Sequence, residues 1–164
     1  NATTPSILYA GTSDAGVFKT LNSGTSWVAV NTGLTNLNIY ALVVDPQDSD
    51  KVYAGTWNGI FKSIDAGDNW NPINTGLSSL YIRSLAIHPD TPQILYAGTN
   101  NDGVFITQNS GGNWAPFNTG ITMPSIHSMA IDPLHPDTVH ASVWGNGVAS
   151  TAQARLIYLP IVLR

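Results

Sequence analysis

The sequence predicts an all-β fold made of repeated four-stranded antiparallel sheets, and three observations support this. A nearly identical segment that starts with Ser or Thr and ends with Trp occurs three times, at residues 20–27, 63–70 and 107–114. Its tryptophans are 43 and 44 residues apart, a period that matches one blade of a β-propeller. The intervening apolar runs are short, are bounded by Gly, Asn and Pro, and lack a sustained helical period.

Each repeat contains the same predicted elements in the same order. An inner strand stops at a proline turn, at residues 39–46, 82–89 and 126–133. A second strand carries the motif Tyr-Ala-Gly-Thr in residues 7–12, 51–56 and 94–99. A third strand follows a glycine turn and leads into the repeated segment, and a short fourth strand after each Trp ends at Asn-Thr-Gly.

The predicted boundaries divide the 164 residues into one repeat domain, 1–164, with fewer than four full blades. Blade 1 covers about 6–35 and lacks its inner strand, blade 2 covers about 38–78, and blade 3 covers about 81–121. Blade 4 covers about 125–164. Its copy of the repeated segment is degenerate, and it ends in an apolar predicted strand at 156–163.

The repeated segment resembles the Asp-box, or BNR-like repeat, of sialidase-like, sortilin-like and xyloglucanase-like β-propellers, S-x-D-x-G-x-T-W. Asn replaces Asp in two of the three copies. The matching residues are Asn22, Gly24, Trp27, Asp65, Gly67, Trp70, Asn109, Gly111 and Trp114. The resemblance implies a structural role for the box, away from any catalytic face.

The box chemistry on its own also predicts a turn. The Asn or Asp side chain can accept hydrogen bonds from its own turn, and the glycine can adopt a positive φ. Each Trp is then expected to pack into its blade, so that Trp27, Trp70 and Trp114 occupy equivalent buried positions.

Composition narrows the classes of partner and location. The net charge is −4 and only 10% of residues are charged, which argues against nucleic acid as a partner. The longest apolar run has eight residues, far fewer than the roughly 20 that a membrane-spanning helix needs. The sequence starts with Asn-Ala-Thr rather than Met, which is typical of a mature terminus after signal cleavage, so we expect an extracellular or cell-surface location. No cofactor or metal is expected, and the sequence contains no cysteine.

The residue inventory argues against an enzyme. A sialidase of the resembled group needs an arginine cluster and a Tyr/Glu pair, whereas this chain has three arginines and no glutamate. Some xyloglucan-cleaving propellers use two aspartates, and paired carboxylates can act as general acid and base. Asp14 and Asp102 are the candidates here, because both precede the glycine of the same repeat slot. Since Asn58 and Asn146 fill the same slot in the other repeats, turn formation is the simpler interpretation.

Two tryptophans outside the boxes indicate a possible ligand face. Trp57 and Trp144 share one slot of the repeat, at the mouth of a loop where an exposed indole can stack on a sugar or on a protein partner. The alternative is that both pack between blades.

The end of the chain suggests self-assembly. The predicted strand consists of Leu156, Ile157, Tyr158, Leu159, Pro160, Ile161, Val162 and Leu163, and it has lost the turn chemistry that would fold it back onto its own blade. Because blade 1 lacks a strand, the segment could complete another copy by β-augmentation and produce a ring or a filament. The leading hypothesis is therefore a secreted, non-enzymatic structural protein. The alternative is a propeller module that binds glycan or protein, and an Asp-dependent glycoside hydrolase fragment is third.

Overall fold

The computed structural model describes residues 6–119, 121, 125–132, 134–143 and 147–152. These residues form fourteen strands and no helix, so none of them belongs to a helix that could cross a membrane. The strands are β1 (Leu8–Gly11), β2 (Val17–Thr20), β3 (Val28–Ala29), β4 (Ile39–Val44), β5 (Val52–Thr56), β6 (Gly59–Ser63), β7 (Asn71–Pro72), β8 (Ile82–Ile87), β9 (Leu95–Thr99), β10 (Val104–Thr107), β11 (Ala115–Pro116), β12 (Ile126–Ile131), β13 (Thr138–Val143) and β14 (Gly147–Ala152).

The strands form four antiparallel sheets in chain order, and each sheet is called a blade here. Blade 1 is β1-β2-β3, blade 2 is β4-β5-β6-β7, blade 3 is β8-β9-β10-β11, and blade 4 is β12-β13-β14. Neighbours within a blade are always consecutive strands. The predicted all-β fold of four-stranded antiparallel blades is confirmed. Blade 1 starts at β1, the counterpart of the second strands β5 and β9 of the complete blades.

The apolar core lies between successive blades rather than within any one of them. One buried cluster joins blades 1 and 2 around Val17 and Phe61, and a second joins blades 2 and 3 around Tyr53 and Trp114. A third continues from blade 3 to blade 4. The central strands β5 and β9 are buried along their whole length. Each blade therefore depends on its neighbours to keep both of its faces from water.

The Asp-box closes its turn through a small set of hydrogen bonds. In blade 2, the Ser63 hydroxyl donates to Asp65 Oδ1 over 2.7 Å, and the backbone N–H of Asn69 donates to the same oxygen over 2.9 Å. The N–H of Gly67 donates to Ser63 Oγ over 2.8 Å. Ala66 and Gly67 are both left-handed, with φ of 56° and 93°. The other two boxes repeat these bonds and angles, so the motif encodes one turn three times.

The box tryptophans join consecutive blades. The Trp70 indole N–H donates to the carbonyl of Val30 in blade 1 over 2.8 Å, and its backbone N–H donates to the carbonyl of Thr32 over 2.8 Å. Trp114 makes the two equivalent bonds to blade 2. A Cβ at Gly33 would collide with the carbonyl oxygen of Trp70, so the Asn-Thr-Gly motif admits only glycine there. We call this pair of bonds and its close approach the tryptophan hook.

The first tryptophan departs from the expected pattern. Trp70 and Trp114 are 3% and 2% exposed, whereas Trp27 is 40% exposed. The prediction of three equivalent buried positions is therefore wrong for Trp27. The physical reason is that each Trp is buried by the preceding blade, and no blade precedes blade 1 among the described residues.

The hook predicts an unequal pair of tryptophan substitutions. We expect Trp70→Ala to lower the free energy of unfolding by about 3–5 kcal/mol, because it empties a packed site and breaks the blade 1 to blade 2 contact. Trp27→Ala removes the same side chain from the same repeat position, but this indole makes neither bond to any residue that the structure describes, and we expect the substitution to cost much less. Urea unfolding followed by far-ultraviolet circular dichroism measures both. Equal losses would show that the hook does not carry the interface.

The box of blade 2 also predicts a pH effect. Hydrogen bonds from the side chain and backbone of Asn69 lower the pKa of Asp65 to about 2, from the ordinary 3.8. A carboxyl whose pKa is lower in the folded state stabilises the fold above its unfolded pKa, and this contribution disappears as the pH falls through about 2. We expect Asp65→Asn to keep the turn, as in the other two boxes, and to flatten the loss of stability between about pH 4 and 2.

Urea unfolding at several pH values measures this slope. The matched control is Asp90→Asn, which makes the same change at an exposed aspartate outside the boxes. A slope for Asp65→Asn identical to that of the native chain would contradict the expectation.

Candidate ligand-binding site

Each inner strand contains a β-bulge at its second residue. In β4, Ile39 and Ala41 pair with adjacent residues of β5, which leaves Tyr40 as the extra residue. The same shift occurs at Arg83 in β8 and at His127 in β12. A bulged residue is released from the ladder and its side chain is re-aimed, which is why bulges are frequent beside functional sites. Three successive blades thus present one released side chain each, at equivalent places.

The bulge of blade 2 belongs to an exposed aromatic cluster, which we call the aromatic platform and define as Tyr40, Trp57 and Tyr81. The rings of Trp57 and Tyr81 are stacked, with centroids 4.5 Å apart and planes 12° apart. Tyr40 leans against both rings at centroid distances of 6.3 and 5.3 Å. Trp57 is 53% exposed and Tyr40 40% exposed, although both side chains are large and apolar. The platform therefore presents pre-ordered aromatic surface to solvent.

Polar contacts hold the platform in place. A hydrogen bond with Tyr81 raises the pKa of Tyr40 above its ordinary value. The guanidinium carbon of Arg83 lies 4.9 Å from the centre of the Tyr81 ring, a cation–π contact. Arg83 Nε donates to Asn100 Oδ1 over 2.7 Å, which fixes the plane of the guanidinium.

A small cavity lies beside the platform at the next blade junction, and we call it the polar cavity. Its volume is about 250 Å³, and its lining residues are Arg83, Asn100, Ser125 and His127. Arg83 therefore belongs to both features, because it contacts Tyr81 of the platform and also lines the cavity. Platform and cavity form one continuous candidate site.

The two candidate catalytic aspartates lie elsewhere. Asp102 Oδ2 accepts a hydrogen bond from the Ser78 hydroxyl over 2.8 Å, and Asp14 is exposed in the turn between β1 and β2. They belong to blades 3 and 1, with blade 2 between them, and neither lines the polar cavity. Within the described part of the chain, no three His or Asp side chains are grouped so that they could hold a metal ion.

The predicted ligand face is described only in part. Trp57 lies in the two-residue turn between β5 and β6, exposed and stacked on Tyr81. Trp144, and all of Leu156 to Leu163, lie outside the described residues. The role of Trp57 in ligand binding stays a prediction at this point.

The sequence reasoning missed six members of the site, namely Tyr40, Tyr81, Arg83, Asn100, Ser125 and His127. The signal that could have found three of them is the residue after the isoleucine that opens each inner strand. This slot varies among Tyr, Arg and His while the isoleucine before it does not change. A variable exposed slot inside a regular repeat is where recognition can differ without disturbing the fold.

A second surface feature lies at the inner edge of blade 1. In blades 2 and 3 the second strand pairs with an inner strand, but β1 pairs only with β2 among the described residues. A groove of about 180 Å³ lies between β1 and β4. Its lining residues are Tyr9, Gly11, Ile39, Tyr40, Ala41 and Leu42. We call it the edge groove.

Comparisons with known proteins agree with this architecture. No family model matches the chain, and no curated protein matches it. Among solved structures it is similar to a GH74 xyloglucanase from Xanthomonas campestris, with a TM-score of 0.77 and 16% identity over 94% of this chain. It is also similar to YCF48 bound to D1 peptide, with a TM-score of 0.66 and 14% identity over 93% of this chain.

A third solved structure of this kind is the extracellular domain of a hybrid two-component system from B. thetaiotaomicron, with a TM-score of 0.66 and 18% identity over 91% of this chain. The chain is a set of β-propeller blades. It spans only 28%, 53% and 19% of these three structures, in the order given. At such identities the likeness shows the fold of the blades, and the activity of any one of these proteins does not transfer with it.

Proposed function

We propose that the chain is an extracellular, non-enzymatic propeller module that binds glycan at the aromatic platform. The observation that carries the proposal is the stacked pair of Trp57 and Tyr81, in which Trp57 stays 53% exposed although burial would stabilise it. Such an exposed and ordered aromatic surface is typical of a recognition site.

The chemistry around the platform favours a sugar over other small ligands. A pyranose ring has a face of C–H groups that packs on an aromatic ring and an edge of hydroxyls that needs hydrogen-bond partners. The platform offers the indole of Trp57 for the face and the phenols of Tyr40 and Tyr81 for the edge. Because the rings already contact one another in the free chain, binding needs little further ordering of side chains.

The similar structures support the two general parts of the proposal. One of them is named as an extracellular domain, which agrees with the composition and the expected location of this chain. Another is named as a xyloglucanase, but this chain spans 28% of it, and the two aspartates considered for catalysis lie in separate blades. We therefore propose binding without hydrolysis. The structure bound to D1 peptide makes a protein ligand the alternative.

The platform is tested by removing its exposed ring. We expect Trp57→Ala to weaken binding to the best ligand of a glycan array by at least roughly tenfold, a loss of about 1.4 kcal/mol. Isothermal titration calorimetry measures the affinity, and the reducing-end assay on the same glycan checks for hydrolysis. The matched control is Trp27→Ala, which removes another partly exposed indole, one that lies in a box of blade 1.

Two outcomes would overturn the proposal. The first is an array on which no glycan binds the native chain while an extended peptide does, with an affinity that depends on Trp57. The second is a glycan ligand whose affinity falls equally in both tryptophan variants. Release of reducing ends by the native chain would overturn the non-enzymatic part alone.

We further propose that copies of the chain self-assemble through Leu156 to Leu163, and the edge groove favours this second function. A complementary strand that enters the groove would pair with the edge of β1 that no other described strand occupies and would contact β4, as the inner strands of blades 2 and 3 do. The exposed Trp27 marks the same blade as incompletely covered. The apolar 156–163 segment of a second copy has the composition of such a strand.

Deletion of residues 155–164 tests the assembly. We expect the native chain to form oligomers or filaments and the truncated chain to be monomeric with its strand content retained. Light scattering and electron microscopy measure mass and shape. Ile161→Asp is the milder variant, because a charge buried without a partner between blades costs several kcal/mol. A native chain that stays monomeric at high concentration would show that the strand-exchange mechanism is wrong.

A further inference from the structure

We propose that the polar cavity is a carboxylate subsite, so that the preferred ligand is an acidic glycan whose neutral part stacks on Trp57. This inference rests on the proposed function and specifies its ligand. It is carried by Arg83, which contacts the platform on one side and lines the cavity on the other.

The repeat explains how a cavity arises at the junction of blades 3 and 4. The four lining residues of the cavity occupy the same repeat slots as Tyr40, Trp57, Tyr81 and Arg83 one blade earlier. At the junction of blades 2 and 3 these slots hold three aromatic rings in mutual contact. At the next junction Asn100 takes the slot of Trp57, and Ser125 takes that of Tyr81. Small polar groups replace two large rings, and the space they leave is the cavity.

The guanidinium of Arg83 is prepared to receive an anion. Its Nε is already bonded to Asn100, and its plane is held over Tyr81. Among the described residues it forms no ion pair, whereas Lys19 and Lys51 are each paired with an aspartate. The two Nη groups of an oriented guanidinium form a fork that matches the two oxygens of a carboxylate.

The other lining groups suit the same ligand. None of the four lining residues carries a carboxylate that would repel an anion. Asn100 and Ser125 are small and can hydrogen-bond to hydroxyls of a sugar, and His127 adds a ring nitrogen at the exposed side. At about 250 Å³ the cavity is smaller than sites for drug-sized ligands, so it suits one substituted sugar residue rather than a long chain.

The spacing favours a ligand that uses both features at once. Trp57 and Arg83 contact the same Tyr81 ring, so a glycan with a neutral and an acidic residue can use the indole and the guanidinium together. An acidic peptide could also pair with Arg83, but it would not need the flat aromatic surface beside it. We therefore assign the subsite to a carboxylate-bearing sugar.

The experiment compares each acidic glycan with its own neutral form. The probes are tetragalacturonate, a hyaluronan hexasaccharide and sialyllactose, each with its carboxyl methyl ester. We expect the native chain to bind at least one acid roughly tenfold or more tighter than the ester of the same glycan. Arg83→Gln should abolish this preference, so that acid and ester bind with the same affinity. Lys19→Gln, which removes a cation already paired with Asp68, should keep the preference.

Each outcome bears on a definite claim. If acid and ester bind equally and both depend on Trp57, the subsite is wrong and the proposed function stands. If no glycan in either form binds, both fail. An Asp-rich peptide that binds through Arg83 but independently of Trp57 would overturn the sugar assignment. Since the ratio of acid to ester affinity is the readout, a general loosening of the platform in Arg83→Gln would not be mistaken for loss of the subsite.

Discussion

The tryptophan hook is the contact on which the rest of the structure depends. Each hook joins the box of one blade to the segment that follows the last strand of the blade before it, through an indole N–H, a backbone N–H and a glycine that allows the close approach. The sheets themselves are narrow, and their outermost strands have two residues each. Without the hook these short strands would have little to hold them. The role of the box turn is therefore to orient its Trp so that the indole packs on the preceding blade and bonds to it.

Much of this frame could be predicted from the sequence because it is repeated. The period, the strand order and the box all follow from residues that recur in register, and a single chain then provides three observations of the same local rule. The Asn or Asp side chain of each box forms hydrogen bonds with residues at most four positions away, as Asp65 does with Asn69. Because these contacts are local, the turn could be predicted from the motif alone. The exposure of Trp27 could not be predicted in this way. Its environment depends on a neighbouring blade, and a motif carries no information about its neighbour.

The candidate site was only partly predictable for the same reason. Trp57 could be predicted because its slot in the repeat lies at the mouth of a loop, where an exposed indole can stack on a ligand. Tyr81 and Arg83 became part of the site only when the structure brought blade 3 against blade 2. Neighbouring junctions with equivalent backbones then differ sharply, one being filled by rings and the other opened by Asn100 and Ser125. Backbone repetition with side-chain divergence is what allows adjoining surfaces to hold apolar and polar chemistry side by side.

The bulges provide positions at which a substitution costs the fold little. Tyr40, Arg83 and His127 each take up one position that adds nothing to strand pairing, so the cost of exchanging one residue type for another there is small. The three inner strands therefore present one exchangeable residue each, and together these residues set the chemistry of the surface. Duplication of a blade adds another bulge residue to this surface, and a point mutation at a bulge changes the side chain that one blade presents. New specificities can arise on such a scaffold by single steps, each of which leaves the folded chain intact.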